Sequence, residues 1–214
     1  MTLEHAAVRE TLIKTTLKLM DTGGLETVKA RKVAELSGVS VGTIYNLFGN
    51  FDGLIIAANE EIYRDLERIG LEGATRIERA VAEKGLVTPR DRTLYRLCAL
   101  ADTYVGFVAA NANRWNALLA FNRTRGLSGS DDTVRHLGDL MDIIGRLLGE
   151  APVWREKSER RLAARALWSA VHGIVITNFF GEEQDSARAR TTQLLNILLT
   201  AIVDGMFAPS TKPA

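Results

Sequence analysis

Apolar residues recur along this chain at the three- and four-residue spacing of helices. Nowhere do they alternate with polar residues over a run bounded by turn signals, as a half-buried strand requires. The first apolar face, over about 5–21, carries Leu12, Ile13, Leu17, Leu19 and Met20, and Gly23-Gly24 ends it. A short helix over 28–37 follows, with Thr27 expected as its N-cap. Gly38-Val39 makes a tight turn, Ser40 caps a third helix that runs to Phe48, and Gly49 closes it. Asn50 caps a fourth helix. Two short helices joined by a glycine-containing turn, inside a unit of about fifty residues, form a helix-turn-helix pattern.

Beyond this unit the periodicity predicts longer helices. The fourth runs to about Ile69, and the glycines at 70 and 73 separate it from a weaker helical stretch, ATRIERAVAEKG. Thr88-Pro89 opens an apolar helix to Ala110, and Asn113 caps a short one through Phe121. The segment RTRGLSGSDD reads as a loop, and helices over 131–148, 157–180 and 186–207 complete the chain. The last two are apolar over much of their surface, so each must be buried on more than one side, which points to a partner subunit. The fold class is all-α, with a three-helix domain over 1–52, a helical bundle over 53–208 and a flexible tail over 209–214.

Composition adds mainly exclusions. With 46% hydrophobic and 25% charged residues, the 214-residue chain has the balance of an ordinary soluble globular protein. No run of eighteen apolar residues predicts a membrane span, and the N-terminal MTLEHAAVRE lacks the apolar stretch of a signal peptide. A cytoplasmic protein is expected. The single cysteine, Cys98, excludes an intrachain disulfide and a cysteine-based zinc site. His5, His136 and His172 stand isolated, and no phosphate loop, zinc motif or nucleophile elbow occurs, so neither an enzyme nor a bound cofactor or metal is expected. Net charge is only +1, and residues 1–54 carry six basic against six acidic side chains. Any nucleic-acid affinity must therefore come from local placement of charge and from backbone amides.

The stretch TVKARKVAELSGVSVGTIYNLFGNFDGLI, residues 27–55, resembles the DNA-binding segment of the TetR (tetracycline-repressor) family. The match lies in Val33-Ala34, Gly38-Val39-Ser40, Gly42-Thr43-Ile44-Tyr45, Phe48, Asp52 and Leu54. Farther along, LWSAVHGIVITNFFG (167–181) is similar to a tryptophan-x-x-x-histidine-glycine helix of one group of TetR C-terminal domains, as is the upstream YVGFVAANANRWNALLAFN. The resemblance implies a regulator, usually a repressor, that reads a palindromic double-stranded operator as a homodimer and is switched by a small-molecule effector.

In that reading the third helix enters the major groove. Ser40, Val41, Gly42 and Thr43 are small enough for close approach, and Thr43 offers a methyl and a hydroxyl to base edges. Gly42 could equally be a packing glycine. The resemblance implies phosphate contacts for Thr27, Tyr45, Lys29 and Arg31, although Tyr45 could be structural and Arg31 could pair with Glu35 one helical turn on. Asn46 and Asn50 complete the expected DNA-facing set. The chain departs from the family pattern at 46–51, where Asn46, Leu47, Gly49 and Phe51 replace an aromatic or histidine pair and two lysines. Contact there rests on the amides and dipole of the fourth helix.

For the sensor, an apolar pocket suited to an apolar or aromatic molecule is expected from Tyr104, Phe107, Trp115, Leu119, Met141, Trp168 and His172, although the same residues also read as plain core, with His172 a hydrogen-bonded core histidine. The dimer seam is expected on Leu162, Ala166, Ala170, Gly173, Ile174 and Thr177 of the penultimate helix, with Leu195, Leu198, Leu199 and Ile202 of the last; the alternative is that these residues form only an intrachain core. The neutral N-terminal region leaves a second reading open, a helical interaction module that no longer binds DNA specifically.

Overall fold

A computed structural model describes residues 3–125, 131–154, 156–178 and 184–208. Among them are α1 (Leu3–Gly23), a 3-10 turn (Leu25–Thr27), α2 (Ala30–Leu36), α3 (Val41–Phe48), α4 (Phe51–Glu83) and α5 (Pro89–Ala110). Then come α6 (Ala112–Arg125), α7 (Asp131–Leu147), α8 (Lys157–Asn178) and α9 (Gln184–Phe207). No strand occurs among the described residues, so the protein is all-α. The expected tail and residues 179–180 lie outside the described residues, as does the centre of the expected loop. Its flanks are helical: Arg123 and Arg125 end α6, and Asp131 and Asp132 open α7.

The chain forms two compact units. One holds residues 1–65 and 110–136, the other 66–109 and 137–214. The boundary expected at 52 differs from this division, since α6 falls in the same unit as the helix-turn-helix.

In the first unit, Leu12, Ile13, Thr16, Leu19 and Met20 of α1 are buried, at the spacing of one helical face. The buried Thr16 hydroxyl donates to Leu12 O, 2.8 Å away, which satisfies it within the helix. Val33 and Ile44 are completely buried, as are Leu54 and Ala58 on α4. α6 packs on α1 and the 3-10 turn and contributes Trp115, Leu118 and Phe121 to this core.

The second unit is built around Leu97, Val105, Val108, Ile143, Ala164, Val175, Leu199 and Val203, all buried. The expected break in α4 does not occur: one helix passes through both glycines. Glycine in a helix interior costs about 1 kcal/mol relative to alanine. Here packing outweighs propensity. A Cβ at Gly73 would stand 3.2 Å from Thr103 Cγ2 on α5, and one at Gly70 would stand 3.4 Å from Leu140 Cδ1 on α7.

An ion-pair network fastens this unit at one place. The Arg96 guanidinium, 13% exposed, grips both carboxylate oxygens of Glu78 at 2.8 and 2.9 Å and also donates to Glu150. Arg92 donates to the same Glu150 and, at 2.7 Å, to Val87 O. These charge-assisted bonds hold the Glu150 carboxyl below its ordinary range, Arg92 contributing first.

Candidate nucleic-acid interface and helical cavity

The local sequence dictates how α3 is presented. Gly38 takes φ +69° in the turn before it, and Gly49 takes φ +78° directly after it, a region that favours glycine. Ser40 is extended and caps α3: its Oγ accepts from Thr43 N at 3.2 Å and lies 3.0 Å from Thr43 Oγ1. Asn50 caps α4 as expected, its Oδ1 accepting from Gly53 N at 2.7 Å. Ile44 anchors the helix inward at 0% exposure, while Tyr45 is 47% exposed. Ser40, Gly42, Asn46 and Asn50 are exposed, and Val41 and Thr43 are partly so. One side of α3 is thus fixed into the core, and the other presents small and polar groups with one phenol. Phe48 is half-buried, with the Arg9 guanidinium 5.1 Å over its ring.

Thr27 does not cap α2. The helix starts at Ala30, its N-cap residue is Lys29, and no side chain caps it. The Thr27 hydroxyl instead lies 2.8 Å from Leu19 O and 2.9 Å from Gly24 O, so it pins the 3-10 turn back onto α1. Its methyl side also explains Gly23, where a Cβ would come within 2.2 Å of Thr27 Cγ2. Lys29 and Arg31 are exposed, and no ion pair joins Arg31 to Glu35 among the described residues.

Sequence reasoning missed what α6 supplies to this unit. Arg125 Nε lies 3.2 Å from Asp52 Oδ2, so the acid in the first turn of α4 has a cationic partner. The other end of α6 clamps the end of α1: Arg114 Nε donates to Asp21 Oδ1 at 2.8 Å, and Asn113 Nδ2 donates to Asp21 O at 2.7 Å. Asn113 therefore lies inside α6 instead of capping it. No sequence signal marked these pairs, because their partners stand about 70 to 90 residues apart, and helical periodicity does not register long-range pairing.

Within the second unit, Leu66, Ile69, Leu97, Leu100, Tyr104, Leu140, Ile144, Leu167, Trp168, Val171 and Leu199 line a cavity, with Gly70, Ala101 and Thr103 completing it. The space in it wide enough for a water-sized sphere is about 50 Å³, so its walls stand close together. The lining is apolar, and the hydroxyls of Thr103 and Tyr104 are engaged. Thr103 Oγ1 donates to Ala99 O at 2.8 Å, and the Tyr104 hydroxyl shares a 2.7 Å hydrogen bond with His172 Nδ1. Trp168 stacks on His172 with centroids 5.4 Å apart and tilts against Tyr104 at 4.9 Å. Burial pushes the His172 pKa down, so the imidazole is neutral at physiological pH. Burial likewise pushes the Cys98 thiol up, away from thiolate chemistry.

Of the seven residues expected in a pocket, Tyr104 and Trp168 line this cavity and His172 stands behind them. Phe107 is core, and Met141 lines a different cleft. Trp115 and Leu119 belong to the other unit.

The expected dimer stripe divides in the same way. On α8, Leu162 is 72% exposed, Ala166 and Thr177 are exposed, and Ala170, Gly173 and Ile174 are half-buried. On α9, however, Leu195 and Leu199 are 2% and 1% exposed, buried in this chain's own core. The outward apolar residue of α9 is Ile197, 69% exposed, with Leu198 and Ile202 at the flanks.

Among the described residues no helix is long and apolar enough to cross a membrane. Comparison with known proteins agrees with this architecture. Residues 12–58 match the family described as bacterial regulatory proteins, tetR family, and residues 97–206 match the tetracyclin repressor-like C-terminal domain. The chain is 26% identical over 197 residues to the HTH-type transcriptional regulator BetI of Vibrio parahaemolyticus, covering 88% of this chain and 90% of that one. It is 31% identical over 141 residues to the HTH-type transcriptional repressor KstR of Mycolicibacterium smegmatis, covering 63% of this chain and 59% of the other. A solved tetR-family regulator from Streptomyces coelicolor superposes with a TM-score of 0.62 at 20% identity, covering 96% of this chain and 84% of that one. With its helix-turn-helix and its C-terminal bundle both matched, the chain belongs to the tetR family, as a DNA-binding transcriptional regulator and not an enzyme.

Proposed function

We propose that this protein is a cytoplasmic repressor that binds a palindromic operator as a homodimer and is released by a small apolar or aromatic molecule. The observation that carries the reading is the outward side of α3: Ser40, Gly42 and Thr43, then the exposed Tyr45, held in place by the buried Ile44. Small residues let the helix backbone approach base edges, and a phenol at its margin reaches a phosphate. Lys29 and Arg31 add cations free of the surface pair that would have explained them otherwise.

The outward stripe of α8 with Ile197 of α9 supplies a dimer seam, because two large exposed apolar side chains gain most by burial against a second copy. The cavity supplies the effector site. Its apolar walls, with Tyr104 and Trp168 as aromatic faces, favour a molecule with little charge. A gel shift with DNA from upstream of the protein's own gene tests the reading. A specific complex of two chains per duplex is expected, weakened in Tyr45→Phe and Thr43→Ala, and dissolved by an apolar ligand that quenches Trp168. No retarded band with any genomic fragment at low salt would instead favour the interaction module, for which the neutral charge of the N-terminal region speaks.

A further inference from the structure

A second concavity in the α7–α8 region has the opposite chemistry to the cavity. It is lined by Met141, Asp142, Gly145, Arg146 and Gly149 on one side and Lys157, Arg160 and Arg161 on the other, with a volume of about 420 Å³. Four cations face one acid. The acid is weakly committed, since Asp142 Oδ1 stands 3.7 Å from Arg161 Nε and both side chains are more than a third exposed. Arg160 is partly engaged, donating to Trp154 O at 3.2 Å. Arg146 and Lys157 form no ion pair among the described residues.

At the start of α8, Glu159 Oε2 accepts from Glu156 N at 3.1 Å. The concavity persists because α7 carries glycine where side chains would fill it. A Cβ at Gly145 would meet nothing closer than Arg160 O at 3.9 Å. Bringing like charges together around an open cleft costs free energy unless something anionic occupies it. The helix-turn-helix does not use these residues, and neither does the apolar cavity.

We propose that this cleft binds a small soluble organic polyanion bearing a diphosphate, of nucleotide size. Three arginines offer fork-shaped donors that suit phosphate oxygens, and the lysine adds a point charge. The excess of positive charge exceeds what one carboxylate would neutralise. The volume exceeds what a single phosphate would fill and falls within the range of ligand pockets, about 300–1,000 Å³.

Titration calorimetry on the full chain tests this, with inorganic pyrophosphate and ADP as probes. Saturable binding of both, one site per chain, is expected, and it should weaken as salt is raised. Binding should fall roughly tenfold or more in the double variant Arg146→Gln, Lys157→Gln, because two charge-assisted contacts are lost. Gly145→Met, which keeps every charge but fills the cleft, should weaken ADP more than pyrophosphate. The variant Arg76→Gln, Arg79→Gln, exposed cations of α4 outside the cleft, should bind both probes as the parent does. A thermal melt of each variant confirms folding.

No saturable binding of either probe at low salt overturns the proposal. So does equal weakening in the α4 variant, which would mark nonspecific attraction. Binding only to vesicles rich in phosphatidylglycerol, or a random DNA duplex losing as much affinity as ADP in the double variant, also overturns it by assigning the cleft to a macromolecular surface.

Discussion

The turn between α3 and α4 should set how steeply operator binding depends on salt. It offers Gly49, Asn50 and Phe51 and no cation. In the proposed reading Lys29 and Arg31 would be the cations against phosphate, about two per reading head and four per dimer. With a slope of about −0.9 per phosphate, log affinity should fall against log salt with a slope near −3.6, a loss of roughly 150-fold between about 50 and 200 mM salt. Phe51→Lys is the informative perturbation. Residue 51 opens α4 and is half-buried, whereas Gly49 sits at φ +78°, where a side chain would be strained. One further phosphate contact per head should steepen the slope to about −5.4, a loss of roughly 1,800-fold over the same interval. Fluorescence anisotropy with a labelled operator, measured at five or so salt concentrations, reads both slopes directly. A parent slope already steeper than about −6, or no change in Phe51→Lys, would refute this assignment of phosphate contacts.

Other substitutions probe the same framework. Ile44→Ala removes a completely buried anchor and should destabilise the reading unit by about 2–4 kcal/mol in urea unfolding, with operator binding lost at the temperature where that unit melts. Arg125→Gln leaves Asp52 without its partner in the first turn of α4, so operator affinity should drop a few-fold with no change in sequence preference. Equal loss on Asp52→Asn would contradict that account. The Glu150 carboxyl is held low in the folded state, so its contribution is present above about pH 4.5 and fades as pH falls through the folded value. The urea midpoint should therefore decline more steeply below pH 4.5 in the parent than in Glu150→Gln, and identical pH profiles would exclude the network as the cause.

How legible the molecule was in its sequence followed the range of the interactions. Features fixed by neighbours within four residues could be read: the Ser40 and Asn50 caps and the glycine stops at 38 and 49. Features fixed across the fold could not. Thr27 looked like a cap because threonine often is one, but it bonds back to Leu19, eight residues earlier. Gly70 and Gly73 looked like breaks, yet each admits a neighbouring helix at close range, and tertiary packing overrode helix propensity. On α9 the apolar residues surround the helix, so the pattern carries no phase. Leu195 and Leu199 turned inward while Ile197 turned out. The pocket list mixed α5, α6, α7 and α8 because aromatic content marks burial without marking which core a side chain joins. Trp115 proved to belong with the reading unit. The basic cleft escaped notice because Arg146 and Lys157 are separate positions in sequence and converge only where α7 and α8 meet.

Whether the exposed side of α3 reads DNA sequence can be asked by selecting bound fragments from a sheared genomic library with the full-length protein, in parallel with Tyr45→Phe and Gly42→Leu. A few enriched fragments sharing an inverted repeat are expected, reduced in recovery by Tyr45→Phe and absent with Gly42→Leu, whose bulky side chain would hold the helix out of the groove. Enrichment of no fragment at low salt, or the same fragments recovered by all three proteins, would contradict that role for α3.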